Sequence, residues 1–123
     1  MKENTRRVEA ADRKTVSIIE LAGRLTGDGG DAIVRNALHR ELARQSKIIV
    51  FDMKHVTYVD SVGLIELVNA YNTSRLKGVE LVFTSVGSKI QVLFQVTQLT
   101  VVFQVFEDTE CFLRSASSHS LMG

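Results

Sequence analysis

Short apolar runs recur along the chain between polar and glycine-containing segments. Runs of this length that are rich in valine, isoleucine and phenylalanine predict strands, and the run at 47–53 is typical of a strand covered on both faces. They occur as VSIIEL at 16–21, KIIVFDM at 47–53, VELVFTS at 79–85 and VVFQVF at 101–106. A weaker strand is predicted near Val8–Ala11, and the polar residues 12–14 are expected to form the turn that joins it to the second strand.

Helical spacing of apolar residues separates these predicted strands. Val34, Leu38 and Leu42 form the inward stripe of a first helix, with Asp31 as its N-cap and its end near Gln45. A second helix follows residue 60 and stops before Gly78. A third begins at Ser88 and turns Ile90, Leu93, Phe94 and Thr97 inward, and a short closing helix is expected over about 108–116.

Alternation of strands and helices from residue 47 onward predicts right-handed crossovers on a mostly parallel sheet. The N-terminal hairpin adds an antiparallel edge. The expected class is therefore α/β, a single domain with a mixed sheet of about five strands and about four helices. Its predicted limits are 8–116, with a flexible N-terminus over 1–7 and a flexible tail over 117–123.

Composition narrows the possible functions. The chain has 123 residues, 45% of them hydrophobic, and 15 basic against 14 acidic residues give a net charge of +1. This balance provides no broad field for nucleic acid or anionic membranes. Cys111 is the single cysteine, so neither a disulfide framework nor a cysteine zinc site is expected. The polar N-terminus and the lack of a long apolar run predict a cytoplasmic protein without direct membrane insertion.

Other residue patterns give little support for catalysis, metal or cofactor binding. GDGGD at 27–31 lacks the spacing of phosphate-binding loops and is predicted to be a tight turn before a helix. His39, His55 and His119 do not stand at metal-ligand spacing. Asp52 and Asp60 have no nucleophile and base to complete an acid/base site. The chain is therefore not expected to be an enzyme.

The segment YVDSVGLIEL at 58–67 is the most informative part of the chain. Asp60 and Ser61 stand where a strand ends and a helix begins, so either side chain can cap that helix. Gly63 allows another backbone or a partner to approach closely. Helical spacing turns Leu64, Leu67, Val68 and Tyr71 inward and Val62, Glu66, Asn69 and Thr73 outward. Val62 is thus an apolar residue at an exposed helix tip, which a partner surface would explain.

Two further valines extend this idea. Val92 and Val96 fall away from the inward face of the third helix, so they are expected either to be exposed or to pack under the C-terminal segment. If exposed, they could join Val62 and Ile65 in one apolar docking surface.

Four segments together resemble the STAS domain, the family of bacterial anti-sigma factor antagonists and related transporter domains. They are GRL at 23–25, IIVFDMKHVTYVDSVGL at 48–64, KGVELVFTSVGSKIQVLFQVTQL at 77–99 and TVVFQVFED at 100–108. The resemblance implies a role in transcription regulation and signal transduction. It also implies that an anti-sigma factor kinase phosphorylates the hydroxyl residue just before the motif glycine. Here that residue is Val62, which cannot accept a phosphate.

Three interpretations of Val62 remain open. In the first, the switch is lost and the chain binds its kinase-type partner constitutively. In the second, Ser61 accepts the phosphate, although its hydroxyl otherwise caps the helix or points inward. In the third, the chain is an accessory STAS subunit docked on the ATPase of an ABC-type lipid transport system. The resemblance implies that any nucleotide belongs to the partner. A homodimer is also possible. The predicted partner-binding residues are Asp60, Ser61, Val62, Gly63, Ile65, Glu66, Asn69, Thr73, Val92 and Val96.

Overall fold

Five strands form one mixed sheet, in which strands that follow each other along the chain are also neighbours in space. The computed structural model describes residues 1–10 and 12–122, with side chains described up to Ala116. The strands are β1 (Lys2–Glu9), β2 (Thr15–Leu25), β3 (Ile48–Val59), β4 (Glu80–Thr84) and β5 (Gln104–Phe106). β1 pairs antiparallel with β2, and all later neighbours pair in parallel.

Helices cover both faces of the sheet. They are α1 (Gly30–Ala43), α2 (Ser61–Leu76), α3 (Ser88–Val96) and α4 (Thr109–Met122), with a 3₁₀ turn over Leu99–Val101. The main core joins α1, α2 and α3 to one face through residues such as Leu38, Leu67 and Phe94. A smaller core on the other face contains Phe112 of α4. This arrangement confirms the predicted α/β class.

The N-terminal strand corrects one prediction. β1 begins at Lys2 and not near Val8, since residues from Lys2 to Glu9 pair with β2. The flexible N-terminus predicted for 1–7 is therefore wrong for residues 2–7. One side of this polar strand is half-buried, and on that side Glu3 accepts a 2.7 Å hydrogen bond from Arg40 of α1.

Two helix boundaries also differ from the prediction. Gly29, in the left-handed conformation with φ of 103°, is the N-cap of α1, whereas Asp31 lies inside the first turn. A glycine fits this position because it has no Cβ to strain. α4 runs to Met122, beyond the predicted end at Ala116. The flexible tail over 117–123 stays a prediction, and Gly123 lies outside the described residues.

No helix within residues 1–10 and 12–122 is long and apolar enough to cross a membrane.

Candidate partner-binding site

Asp60 fixes the start of α2. It has extended backbone geometry, and its carboxylate accepts a 2.8 Å hydrogen bond from the amide of Gly63. A second carboxylate oxygen accepts from the amide of Gly27, 3.2 Å away in the loop between β2 and α1. The amide of Asp60 in turn donates to the carbonyl of Leu25 at 3.1 Å. One side chain thus caps α2 and ties it to the neighbouring loop.

The electrostatic surroundings favour the charged form of Asp60. The hydrogen bond from the Gly63 amide lowers the pKa of this carboxyl most; desolvation opposes it, while the Gly27 and Val62 amides and the charge of Arg24 lower the pKa further. The Arg24 guanidinium lies 4.5 Å from the ring centre of Tyr58. Asp60 therefore remains an acceptor at neutral pH, as a permanent cap requires.

Two glycines provide the close packing at this site. A Cβ on Gly63 would lie 2.2 Å from the carbonyl oxygen of Leu25, and one on Gly27 would lie 3.1 Å from the Val62 side chain. Gly63 is buried. Its close approach is therefore to β2 of the same chain, which makes it a residue that positions the site and presents no surface of its own.

An exposed strip of α2 lies beside this fixed start. Val62 is 44% exposed and Ile65 is 59% exposed. Ser61 and Asn69 are exposed as well. We call these four residues, Ser61, Val62, Ile65 and Asn69, the motif surface. The structure thus brings together four of the predicted partner-binding residues on the outside of one helix, with an apolar centre.

Glu66 and Thr73 do not belong to this surface. Glu66 is buried, and its carboxylate accepts a 2.7 Å hydrogen bond from Arg35 of α1. Thr73 is half-buried. The prediction that Glu66 faces outward is wrong, because Glu66 belongs to the buried stripe of α2, which consists of Gly63, Glu66, Leu67, Ala70 and Ser74. Thr73 lies outside that stripe, so its part in partner binding stays a prediction.

The valines of α3 are exposed, but α3 runs away from the end of the domain that carries the motif surface. Val92 is 54% exposed and Val96 is 72% exposed, and α4 lies on the other face of the sheet, so the C-terminal segment does not cover them. α2 begins at the carboxyl ends of the parallel strands, where β3 ends. α3 ends with Val96 at the amino ends of the same strands. Val62 and Val96 therefore lie toward opposite ends of the domain.

Ser61 lacks the structural role expected for it. Asp60 caps α2 in its place, and Ser61 is exposed in the first turn of the helix. Within the described residues, its hydroxyl forms no side-chain hydrogen bond. The hydroxyl is therefore accessible to a partner.

Tyr58, Arg24 and Gly27 were not singled out as site residues from the sequence. Tyr58 is 46% exposed. It is the first residue of the segment 58–67, and its place in that segment could have identified it. Arg24 and Gly27 reach the site only through the pairing of β2 with β3.

Comparison with known proteins identifies this arrangement. The profile of the STAS domain matches residues 7–111. The chain belongs to the STAS domain family.

Solved structures agree with this STAS fold. A Thermotoga maritima protein described as a candidate anti-sigma factor antagonist is 15% identical, with a TM-score of 0.77 over 91% of this chain and 93% of that one. A sulfate transporter family protein from Wolinella succinogenes is 17% identical, with a TM-score of 0.76 over 94% and 93% of the two chains. An anti-sigma factor antagonist from Mycobacterium paratuberculosis is 19% identical, with a TM-score of 0.74 over 94% of each chain.

Proposed function

We propose that this STAS domain is a regulatory binding module of the anti-sigma factor antagonist type, whose motif surface binds a kinase-type anti-sigma factor. The observation that carries this proposal is Val62, an exposed apolar side chain on a rigidly capped helix tip, at the place where the family resemblance puts a phosphoacceptor. The module acts by binding alone, and any nucleotide is bound by the partner. It works in the cytoplasm of a bacterium.

Rigidity of the helix tip supports binding. The bonds from Gly27 and Gly63 to Asp60 fix the start of α2 before a partner arrives. A preorganised surface loses less conformational entropy on association. Val62 and Ile65 each keep about half of their surface exposed, so covering them would contribute about 1 kcal/mol each.

Valine at the phosphoacceptor position makes this binding constitutive. A phosphate adds about −1.5 to −2 charges, and an interface docked against the helix tip would be disrupted by that charge. Val62 cannot be modified in this way. The proposed complex is therefore regulated by the amount of either protein, unless Ser61 accepts a phosphate.

A role in a transport assembly is the second candidate function. The fold similarity to a sulfate transporter family protein favours a STAS subunit of a transport assembly. In this alternative the same motif surface docks on the ATPase of an ABC-type lipid transport system. Both candidates use Val62 as a contact and differ in the class of partner.

Capture of the partner from the native host distinguishes the two. Wild-type protein and the Val62→Asp variant are immobilised, and bound proteins are identified by mass spectrometry. We expect the wild type to retain a GHKL-type kinase that the variant loses. Retention of an ABC ATPase with the same loss would support the transport alternative. A protein set that is identical for both baits would contradict binding at the motif surface.

A further inference from the structure

The end of the domain opposite the motif surface carries strongly exposed apolar side chains. Leu76 at the end of α2 is 89% exposed, and Val101 in the 3₁₀ turn is 82% exposed. Val96 and Val102 are also exposed, to 72% and 43%. Exposed apolar groups that gather on one surface indicate an interaction site.

Topology places these residues together. Because β3, β4 and β5 are parallel, their starts and the ends of α2 and α3 lie at one edge of the sheet, here called the amino edge. The rings of Tyr71 in α2 and Phe103 lie 5.6 Å apart, which holds the segment after the 3₁₀ turn against α2. Arg75 and Val102 line the same groove. We call Leu76, Val96, Val101 and Val102 the amino-edge patch.

Basic side chains surround this patch. Arg75 and Lys77 flank Leu76 in the sequence, and Lys47 precedes β3 at the same edge. All three are exposed, and none has a carboxylate partner among the described residues. Glu80 is the acidic residue beside them, since its amide donates to the carbonyl of Lys47. The patch therefore combines projecting apolar groups with free positive charge.

The rest of the amino edge adds no net charge, because Lys14 lies 3.8 Å from Asp12 and Arg44 lies 3.6 Å from Glu41. The positive charge is therefore concentrated in Arg75, Lys77 and Lys47, and the net charge of +1 for the whole chain conceals it. A surface can attract anions even when the molecule is almost neutral, because exposed charges act mainly within a Debye length of about 8–10 Å.

We propose that the amino-edge patch docks this domain peripherally on an anionic lipid surface. Leu76 and Val101 project almost fully, and a lipid interface accepts such side chains without the shaped pocket that a protein partner would need. Arg75, Lys77 and Lys47 can then contact lipid phosphates, and each basic residue near an anionic surface strengthens binding several-fold. This contact leaves the motif surface free at the other end, so it does not depend on the proposed partner.

Sedimentation with lipid vesicles tests this proposal on the full chain. We expect partition onto vesicles of phosphatidylcholine with phosphatidylglycerol to exceed that onto phosphatidylcholine alone by at least about tenfold, and to fall as salt is added. Leu76→Glu and Lys77→Glu should each reduce partition onto the mixed vesicles by about fivefold or more. Both side chains are exposed, and circular dichroism checks that the variants fold.

Lys89→Glu is the matched control for Lys77→Glu, because it makes the same charge change at an exposed residue in the first turn of α3, at the other end of the domain. We expect its partition to equal that of the wild type. Equal partition onto both kinds of vesicle, or the same loss in Lys89→Glu as in Lys77→Glu, would overturn the proposal. Dimerisation that Leu76→Glu abolishes, without vesicle binding by the wild type, would overturn it in favour of a second copy of this chain.

Discussion

Replacing Gly63 with alanine should separate α2 from β2 at the start of the helix. The added Cβ would lie 2.2 Å from the Leu25 carbonyl oxygen and 2.8 Å from the Leu25 Cγ. An ordinary contact is more than about 1 Å longer, and the nearest atom belongs to backbone that cannot rotate away. Overpacking of this kind costs about 1–3 kcal/mol or more, while alanine recovers at most about 1 kcal/mol of helix propensity. We therefore expect a net loss of about 2 kcal/mol in the free energy of unfolding.

Urea denaturation followed by circular dichroism measures this loss. Gly87→Ala is the matched control, because Gly87 also stands at the start of a helix, as the N-cap of α3. Its φ is −63°, and a Cβ added to it would meet nothing within 4 Å. We expect the control to change the free energy of unfolding by less than about 1 kcal/mol. Equal stability of the two variants would refute the conclusion that Gly63 serves internal packing and would restore a direct role toward the partner.

Three further predictions concern the cap, a buried network and the lost switch. Asp60→Asn should lower the urea midpoint at pH 7. The pKa of Asp60 in the folded protein lies below its ordinary value, so its stabilisation is present above about pH 4 and is lost as pH falls through the folded pKa. A difference between variant and wild type that persists unchanged at pH 2 would contradict this explanation. Glu41→Ala should cost about 1–3 kcal/mol in urea denaturation, because it removes the acceptor of the buried Ser17 hydroxyl and the 2.8 Å partner of Arg40; an unchanged midpoint would show that the network contributes nothing. Val62→Ser should gain one phosphate, seen as intact mass, when incubated with the kinase partner and ATP, whereas the wild type should not; a wild-type phosphate that Ser61→Ala abolishes would assign the switch to Ser61.

The sequence predicts the parts of this fold that depend on local pattern. Apolar runs predict β2, β3 and β4, because each strand buries side chains on both faces. Helical spacing and the Asp60 cap predict α2. β1 extends further than predicted because its inward residues are polar, and their partner, Arg40, stands far along the chain.

Site details that depend on tertiary contacts could not be predicted in the same way. Glu66 is buried because Arg35, on another helix, supplies a partner for its charge. The contact between Gly63 and Leu25 exists only once β2 lies beside β3. The basic amino edge likewise arises when parallel strands bring distant segments to one end. Local pattern therefore predicted the motif, and packing determined which of its residues are exposed.

The affinity of the captured partner for Val62 variants tests the central claim most directly. Titration calorimetry compares the wild type, Val62→Asp and Leu76→Asp, the last of which places the same charge at the opposite end of α2. We predict that Val62→Asp weakens binding at least about tenfold, or about 1.4 kcal/mol, because it buries an unpaired charge, and that Leu76→Asp binds like the wild type. Unchanged affinity for Val62→Asp would contradict binding at the motif surface.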